Sequence, residues 1–157
     1  MIALMKTPPH SRNLRTGRYS EIGRAYLITT VTKDRQPLFA DLRLARLAIW
    51  ELRACDEAKL CATLAFVLMP DHLHWLLQLT DATLSGLLKR YKSRSGGVIN
   101  RSRNTPGMAV WQAGFHDRAI RDGEDVRQVA RYLVANPVRA GLVASVGRYP
   151  HWDAAWL

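Results

Sequence analysis

Two histidines separated by one residue, His72 and His74, are the side chains whose type and spacing most clearly suggest chemistry. They lie in an apolar run, residues 64–79, whose composition favours β structure, and Pro70-Asp71 favours a turn or the start of a strand. Alternate side chains on a strand point to one face, so the two imidazoles would lie roughly 6–7 Å apart along the strand and can share one metal ion. For His-x-His alone, the plainer interpretation is a pair of half-exposed histidines hydrogen-bonded to their neighbours.

A second candidate group lies near the other end of the chain, at Tyr132 and Asn136. Residues four apart share a face of a helix, so these two side chains can address one point. They would flank a buried stripe formed by Val126, Val129, Ala130 and Leu133. Taken alone, a tyrosine there is more often a packing residue with its hydroxyl in water. An asparagine before Pro137 is likewise more often the last residue of a helix than a metal ligand.

The charge balance indicates a polyanionic partner, nucleic acid first. The 157 residues include 23 Lys and Arg against 13 Asp and Glu, a net charge of +10. Basic residues concentrate in an N-terminal arm, residues 1–24, and in a second cluster at 89–103 that contains no acidic residue. The second cluster fits a solvated helix end, but six uncompensated charges favour contact with phosphates.

The remaining composition predicts one folded domain, residues 25–157, behind the basic arm. A hydrophobic fraction of 48% and five tryptophans are typical of a globular protein. Cys55 and Cys61 lack paired C-x-x-C spacing, so neither a zinc site nor a disulfide framework is indicated. The N-terminus lacks the apolar segment of a signal peptide, and the longest apolar run, residues 60–70, is too short to cross a bilayer. We therefore expect a cytoplasmic protein without membrane contact.

The elements that must position these side chains alternate between strands and helices. Strands are predicted at 26–32, 62–69, 72–79 and 117–121, and the middle two are close enough to form an antiparallel hairpin. Helices are predicted from Asp41, from near Asp81 and from 122–124. Ser95-Gly96-Gly97 is expected to break the second helix, and Asn136-Pro137 to end or kink the third. The predicted class is α+β, with helices packed on an antiparallel sheet in a ferredoxin-like arrangement, and the aromatic tail at 148–157 packed back on the domain.

Two motifs together carry a family resemblance. MPDHLH at 69–74 and YLVANPVRAGLV at 132–143 closely resemble the corresponding blocks of single-tyrosine HUH transposases, in particular the REP-associated tyrosine transposases. WQAGFHDRAIR at 111–121 is similar to a further block of that family. The arm at 14–20, the Tyr-x-x-Thr-Thr strand and Pro37-Leu38-Phe39 are similar as well. The resemblance covers the chain from about residue 11 to its end, and Asp71 stands where the family often has Asn or Glu.

This resemblance implies a fold, a reaction and a set of roles. His72 and His74 match the metal-binding pair, Tyr132 the nucleophile and Asn136 the oxygen-donating third ligand, with Mg²⁺ or Mn²⁺ as the expected ion. The implied fold is the ferredoxin-like HUH nuclease. The implied reaction nicks and rejoins single-stranded hairpin DNA through a 5′-phosphotyrosine, with a monomer expected rather than a homodimer. The general base stays unassigned. The expected DNA contacts are Arg12, Arg15, Arg18, Lys89, Arg90, Lys92, Arg94, Arg118 and Arg121.

Two other functions remain open at this point. One is a non-catalytic DNA-hairpin-binding or regulatory protein derived from a transposase, against which stands the presence of every matched catalytic position. The other is a basic structural or RNA-binding domain with incidental histidines, which requires both motifs to be coincidence.

Overall fold

An antiparallel sheet with helices on both faces is the framework of the computed structural model, which describes residues 20–156. The strands of this part of the chain pair in the order β4-β1-β3-β2-β5. The elements are β1 (Ala25–Val31), α1 (Leu42–Glu57), β2 (Cys61–Met69), β3 (His72–Leu79), α2 (Leu84–Arg103), β4 (His116–Ala119), α3 (Val126–Val134), α4 (Asn136–Arg139) and β5 (Trp152–Ala154). The predicted α+β class is confirmed.

Strand β3 lies in the middle of the sheet and sends alternate side chains into two separate cores. Leu73, Trp75 and Leu77 belong to the core shared with α1 and α2. Leu76 belongs to the second core, which is shared with α3. Because side chains alternate along a strand, His72 and His74 point to the α3 face.

The predicted hairpin between β2 and β3 is confirmed. Met69 pairs with His72, and Val67 pairs with His74, across the turn at Pro70-Asp71. The backbone of this turn is fixed from outside the hairpin, since the N–H of Thr32 donates to the Asp71 carbonyl at 2.9 Å. The start of β3 is thereby fastened to the end of β1.

Helix α2 corrects one prediction, because it runs without interruption through Ser95-Gly96-Gly97. A glycine inside a helix costs about 1 kcal/mol relative to alanine, but burial here outweighs that cost. The Ser95 hydroxyl is fully buried, donates to the Tyr91 carbonyl at 2.6 Å and accepts from the Trp111 indole at 2.9 Å. A Cβ on Gly96 would lie 3.8 Å from the side chain of Val110, an ordinary van der Waals distance, so the packing at this position does not require glycine.

Helix α3 begins at a side-chain cap and ends where proline was expected to end it. The Asp125 carboxylate accepts from the N–H groups of Arg127 and Gln128 at 3.0 and 3.2 Å. After Ala135, Asn136 and Pro137 open the single-turn helix α4. Asn136 therefore lies on a different helix from Tyr132, although only one residue separates the two helices.

The C-terminal segment packs back on the domain, as predicted. Strand β5 pairs with β2 and forms one edge of the sheet. The buried Tyr149 hydroxyl donates to the Leu68 carbonyl at 2.5 Å. Burial raises the pKa of Tyr149 to about 12, so the hydroxyl keeps its proton and remains a donor.

The N-terminal part of the described chain is bonded to the domain. The Ser20 hydroxyl accepts from the N–H of Leu84 at 3.0 Å, and the N–H of Gly23 donates to the Leu79 carbonyl at 2.8 Å. Most of the predicted arm, with Arg12, Arg15 and Arg18, lies outside the described residues. Between residues 20 and 156, no helix has the length and apolarity that a membrane span requires.

Candidate active site

The two histidines of β3 lie side by side on the α3 face of the sheet. Their ring centroids are 4.7 Å apart, and the ring planes meet at 84°. This shared face is the one that the His-x-His spacing predicted. The separation is short enough for both rings to reach one ion.

Each ring has its Nδ1 atom engaged by an oxygen of a neighbouring residue. Nδ1 of His72 lies 2.6 Å from Oδ1 of Asp71, and Nδ1 of His74 lies 2.9 Å from Oγ1 of Thr29. Thr29 is the residue paired with His74 across β1 and β3. A carboxylate only accepts hydrogen bonds, so Nδ1 of His72 carries a proton, and Thr29 can accept from His74 in the same way. Nε2 of each ring is then the nitrogen left for a metal.

Electrostatics favour the neutral, ligating form of His74. Burial is the largest cause that lowers the pKa of His74, and together with the nearby positive charges of His72 and Arg139 it brings the pKa to about 4. At Asp71, partial burial raises the pKa, but hydrogen bonds from His72 and Arg35 outweigh this and hold the pKa below its usual value. The carboxylate beside His72 is therefore charged at neutral pH.

Tyr132, Asn136 and His74 line one pocket of about 480 Å³ between the sheet and α3. The Asn136 amide donates from Nδ2 to the Leu133 carbonyl at 2.8 Å, so its Oδ1 is the atom available to a ligand. The Tyr132 side chain is 68% exposed, and an incoming molecule can reach its hydroxyl. His72 lies beside His74 and is not among the residues that line the pocket. The structure thus brings the two predicted groups together.

Arg139 is a member of this site that the sequence reasoning missed. Its guanidinium carbon lies 3.7 Å from the centroid of the Tyr132 ring, a close cation–π contact. The same guanidinium is near enough to His74 to lower the pKa of that imidazole. Spacing along one helix does not predict this contact, because Tyr132 lies on α3 and Arg139 lies at the end of α4.

Two carboxylates line the pocket, and both are already engaged. Glu124 accepts two hydrogen bonds from Arg118, at 2.9 and 3.0 Å, and one from the N–H of Arg121 at 3.0 Å. The Arg118 hydrogen bond in particular holds the pKa of Glu124 below its usual value. Asp125 is occupied as the α3 cap. Neither acid is therefore free to act as the base for Tyr132.

Three of the predicted DNA contacts have structural partners within residues 20–156. The Lys92 ammonium donates to the carbonyls of Gln112 and Gly114. Arg94 forms an ion pair with Glu51 across α1 and α2 at 2.9 Å, and Arg118 binds Glu124 as described. Arg94 and Arg118 remain exposed despite these ion pairs, and Lys89, Arg90 and Arg121 are exposed as well. Of these, Lys89 and Arg90 lie on α2, on the sheet face opposite the Tyr132 pocket.

Within residues 20–156, no three His, Cys, Asp or Glu side chains form a group that could hold a metal ion. A metal site built on the two histidines therefore requires another donor type. The free Oδ1 of Asn136 is a neutral oxygen of the kind that Mg²⁺ and Mn²⁺ accept. The donor set of Nε2, Nε2 and Oδ1 fits such an ion.

Comparison with known proteins finds a family model and relatives that are all described as transposases. The family model described as "Transposase IS200 like" matches residues 23–136. A Haemophilus influenzae protein assigned as a REP-associated tyrosine transposase is 26% identical over 139 residues, which are 82% of this chain and 78% of that protein. The Escherichia coli K12 REP-associated tyrosine transposase is 31% identical over 100 residues, 58% of this chain and 55% of that protein.

Two solved structures share the fold. A REP-associated tyrosine transposase bound to a REP hairpin superposes with a TM-score of 0.71 at 22% identity, over 86% of this chain and 79% of that one. A protein of Deinococcus radiodurans described as a transposase superposes with a TM-score of 0.54 at 21% identity, over 71% of this chain and 90% of that one. At these identities the superpositions bear on the fold alone.

Proposed function

Because this chain belongs to the family of IS200-like transposases, we propose that it nicks and rejoins hairpin-forming single-stranded DNA through a covalent bond to Tyr132. The observation that carries this proposal is the pocket that joins His74, Asn136 and Tyr132, with Arg139 stacked on the tyrosine. Residues far apart in the sequence are assembled there around an exposed hydroxyl. A tyrosine used only for packing would have its ring buried.

A divalent cation, Mg²⁺ or Mn²⁺, would be held by Nε2 of His72, Nε2 of His74 and Oδ1 of Asn136. When bound, such an ion withdraws negative charge from a phosphate in the transition state. Asp71 and Thr29 contact Nδ1 of the two imidazoles, which leaves Nε2 of each ring for the ligand. The chain thereby supplies an oriented set of two nitrogen donors and one oxygen donor.

The proposed reaction exchanges one phosphodiester bond for another. The Tyr132 oxygen forms a bond to phosphorus, and the bond from phosphorus to the 3′ oxygen breaks. The proton that the tyrosine releases is balanced by the proton that the 3′ oxygen takes up. The 5′-phosphotyrosine link keeps the energy of the original bond, so rejoining to a 3′-hydroxyl needs no ATP. Arg139 can hold the ring and place positive charge beside the reacting phosphate.

Hairpin DNA is the proposed substrate, supported by the net charge of +10 and by the relative whose structure holds a REP hairpin. We expect the protein to act in the cytoplasm and as a monomer, as the family resemblance implies. The competing proposal is a hairpin-binding protein without chemistry. A binding-only protein would use the same surface as the enzyme, so only the detection of a covalent product distinguishes the two proposals.

The deciding experiment incubates the full-length protein with end-labelled hairpin oligonucleotides and Mg²⁺ or Mn²⁺, followed by a denaturing gel. We expect a slowly migrating protein–DNA species that is absent with chelator and absent in Tyr132→Phe. The Phe variant should bind the hairpin with the same affinity as the wild type, because only the reacting oxygen is removed.

Cleavage that persists in Tyr132→Phe would remove Tyr132 as the nucleophile. Tight binding of several hairpins without covalent product, at any tested metal concentration, would instead support the binding-only protein.

A further inference from the structure

Helix α1 carries an exposed tryptophan on the sheet face opposite the active site. The Trp50 side chain is 76% exposed, more than any other large hydrophobic residue within 20–156. The packing of α1 does not use it, because Leu44, Ala48 and Leu52 supply the buried side of the helix. Covering this side chain would remove apolar surface from water, so Trp50 would stabilise a complex formed at this face.

Three arginines share the helix face of Trp50. Arg43, Arg46, Trp50 and Arg53 follow one another at intervals of three, four and three residues, and we call this set the α1 stripe. Its length from first to last residue is about 15 Å at 1.5 Å per residue. Arg43 and Arg46 have no carboxylate partner within residues 20–156, whereas Arg53 lies 3.2 Å from Asp153.

The α1 stripe borders a groove of about 880 Å³ between α1 and the C-terminal segment. Leu47, Phe66 and Trp152 contribute apolar surface to its wall. This volume lies within the range of roughly 300–1,000 Å³ found for ligand clefts. The groove therefore combines an aromatic platform, apolar walls and free cations.

We propose that the α1 stripe and its groove bind a single-stranded DNA segment outside the hairpin, with a base stacked on Trp50 and phosphates on Arg43 and Arg46. The proposal rests on the proposed function, since it takes DNA as the substrate. An aromatic side chain with cationic side chains beside it suits a single strand, in which each base lies next to phosphates. A second copy of this chain is disfavoured as the occupant, because two such stripes would bring like charges together.

The test measures binding of fluorescein-labelled dT12 to the full-length protein by fluorescence anisotropy. Trp50→Ala should weaken binding roughly tenfold, and Trp50→Phe less than threefold, because a phenyl ring still stacks. Arg46→Ala should weaken binding and flatten its salt dependence. Met108→Ala, a similarly exposed apolar residue on a distant loop, serves as the control and should leave binding unchanged. Thermal melting of each variant checks that the fold is kept.

Equal binding of dT12 by the wild type, Trp50→Ala and Arg46→Ala would overturn the proposal. A wild-type dimer that Trp50→Ala dissociates would overturn it too, and would assign the groove to self-association. The proposed function is tested separately, by covalent product on a minimal hairpin, which Trp50→Ala should form at the wild-type rate. Loss of covalent product with Trp50-dependent dT12 binding intact would refute only the enzymatic function. Formation of covalent product together with dT12 binding that does not depend on Trp50 would refute only the role of the α1 stripe in DNA binding.

Discussion

The orientation of His74 is set by a residue 45 positions earlier in the chain. Thr29 meets the imidazole because β1 and β3 pair in a register that puts the two residues opposite each other. The sequence predicted which histidines share a face, since that follows from strand alternation. It could not predict Thr29, because the register between β1 and β3 is decided by the packing of the whole sheet.

Replacing Thr29 by valine should weaken metal binding about 10- to 100-fold, the usual cost of losing a residue that holds a metal ligand from behind. Valine keeps the branched shape and removes only the hydroxyl that contacts Nδ1 of His74. Isothermal titration of the metal-free protein with Mn²⁺ measures the effect. Unchanged Mn²⁺ affinity would show that His74 is held by its packing alone.

Thr30 offers a control one residue away. Its side chain is buried on the opposite face, and its hydroxyl has no hydrogen-bond partner among residues 20–156. Thr30→Val should therefore leave Mn²⁺ affinity unchanged, and should leave the free energy of unfolding equal or raise it by up to about 1 kcal/mol. Urea unfolding of both variants separates a loss of metal affinity from a loss of fold.

Arg139 is expected to act on the rate of covalent bond formation rather than on hairpin affinity. Arg139→Ala removes the guanidinium that stacks on Tyr132 and should slow formation of the covalent species about a hundredfold, as removal of other transition-state donors does. Single-turnover kinetics at saturating hairpin measure this rate directly. Arg131→Ala removes an exposed arginine next to Tyr132 and should have little effect. An equal loss of rate in both variants would show that Arg139 contributes only positive charge near the site, and not a specific contact with Tyr132.

At the scale of elements, helices α1 and α3 begin with the same kind of cap, but only α3 carries a residue of the candidate active site. Asp41 caps α1 and Asp125 caps α3, each by accepting from two backbone N–H groups. Replacing either by alanine should lower the free energy of unfolding by about 1 kcal/mol. Only Asp125→Ala should also slow covalent bond formation, by about tenfold or more, because α3 carries Tyr132. Urea unfolding and single-turnover rates test the pair, and equal rates in the two variants would show that the start of α3 does not position the tyrosine.

Local sequence rules predicted most elements and failed where distant contacts decide. The β2–β3 hairpin and the start of α1 follow from alternation and from the Asp41 cap, which are local signals. The predicted break at Ser95-Gly96-Gly97 is wrong because Trp111, sixteen residues away, bonds to the buried Ser95. The spacing of four residues predicts that Asn136 lies on the helix of Tyr132. In the structure, Asn136 and Pro137 instead open the next helix, α4. The pocket still joins the two side chains, because that break is only one residue long.

At the scale of the whole molecule, the charge of +10 predicts the salt dependence of DNA binding. If about five phosphates are neutralised, affinity for a single strand should fall roughly a hundredfold between 50 and 200 mM salt. Titration of a labelled hairpin at several salt concentrations gives the slope. A flat response would mean that the basic residues of α2 and of the N-terminal arm do not contact phosphate.

Strand β5 has a consequence for the order in which the protein folds during synthesis. Tyr149 and Ala154 complete the core under Ala130 and Leu133 of α3. A ribosome therefore finishes α3 before it has made all of the residues on which that helix packs. Until β5 pairs with β2, the helix that carries Tyr132 rests only on the earlier strands, through residues such as Val67 and Leu76. A chain that ends before β5 is therefore expected to lack part of the packing surface that positions Tyr132.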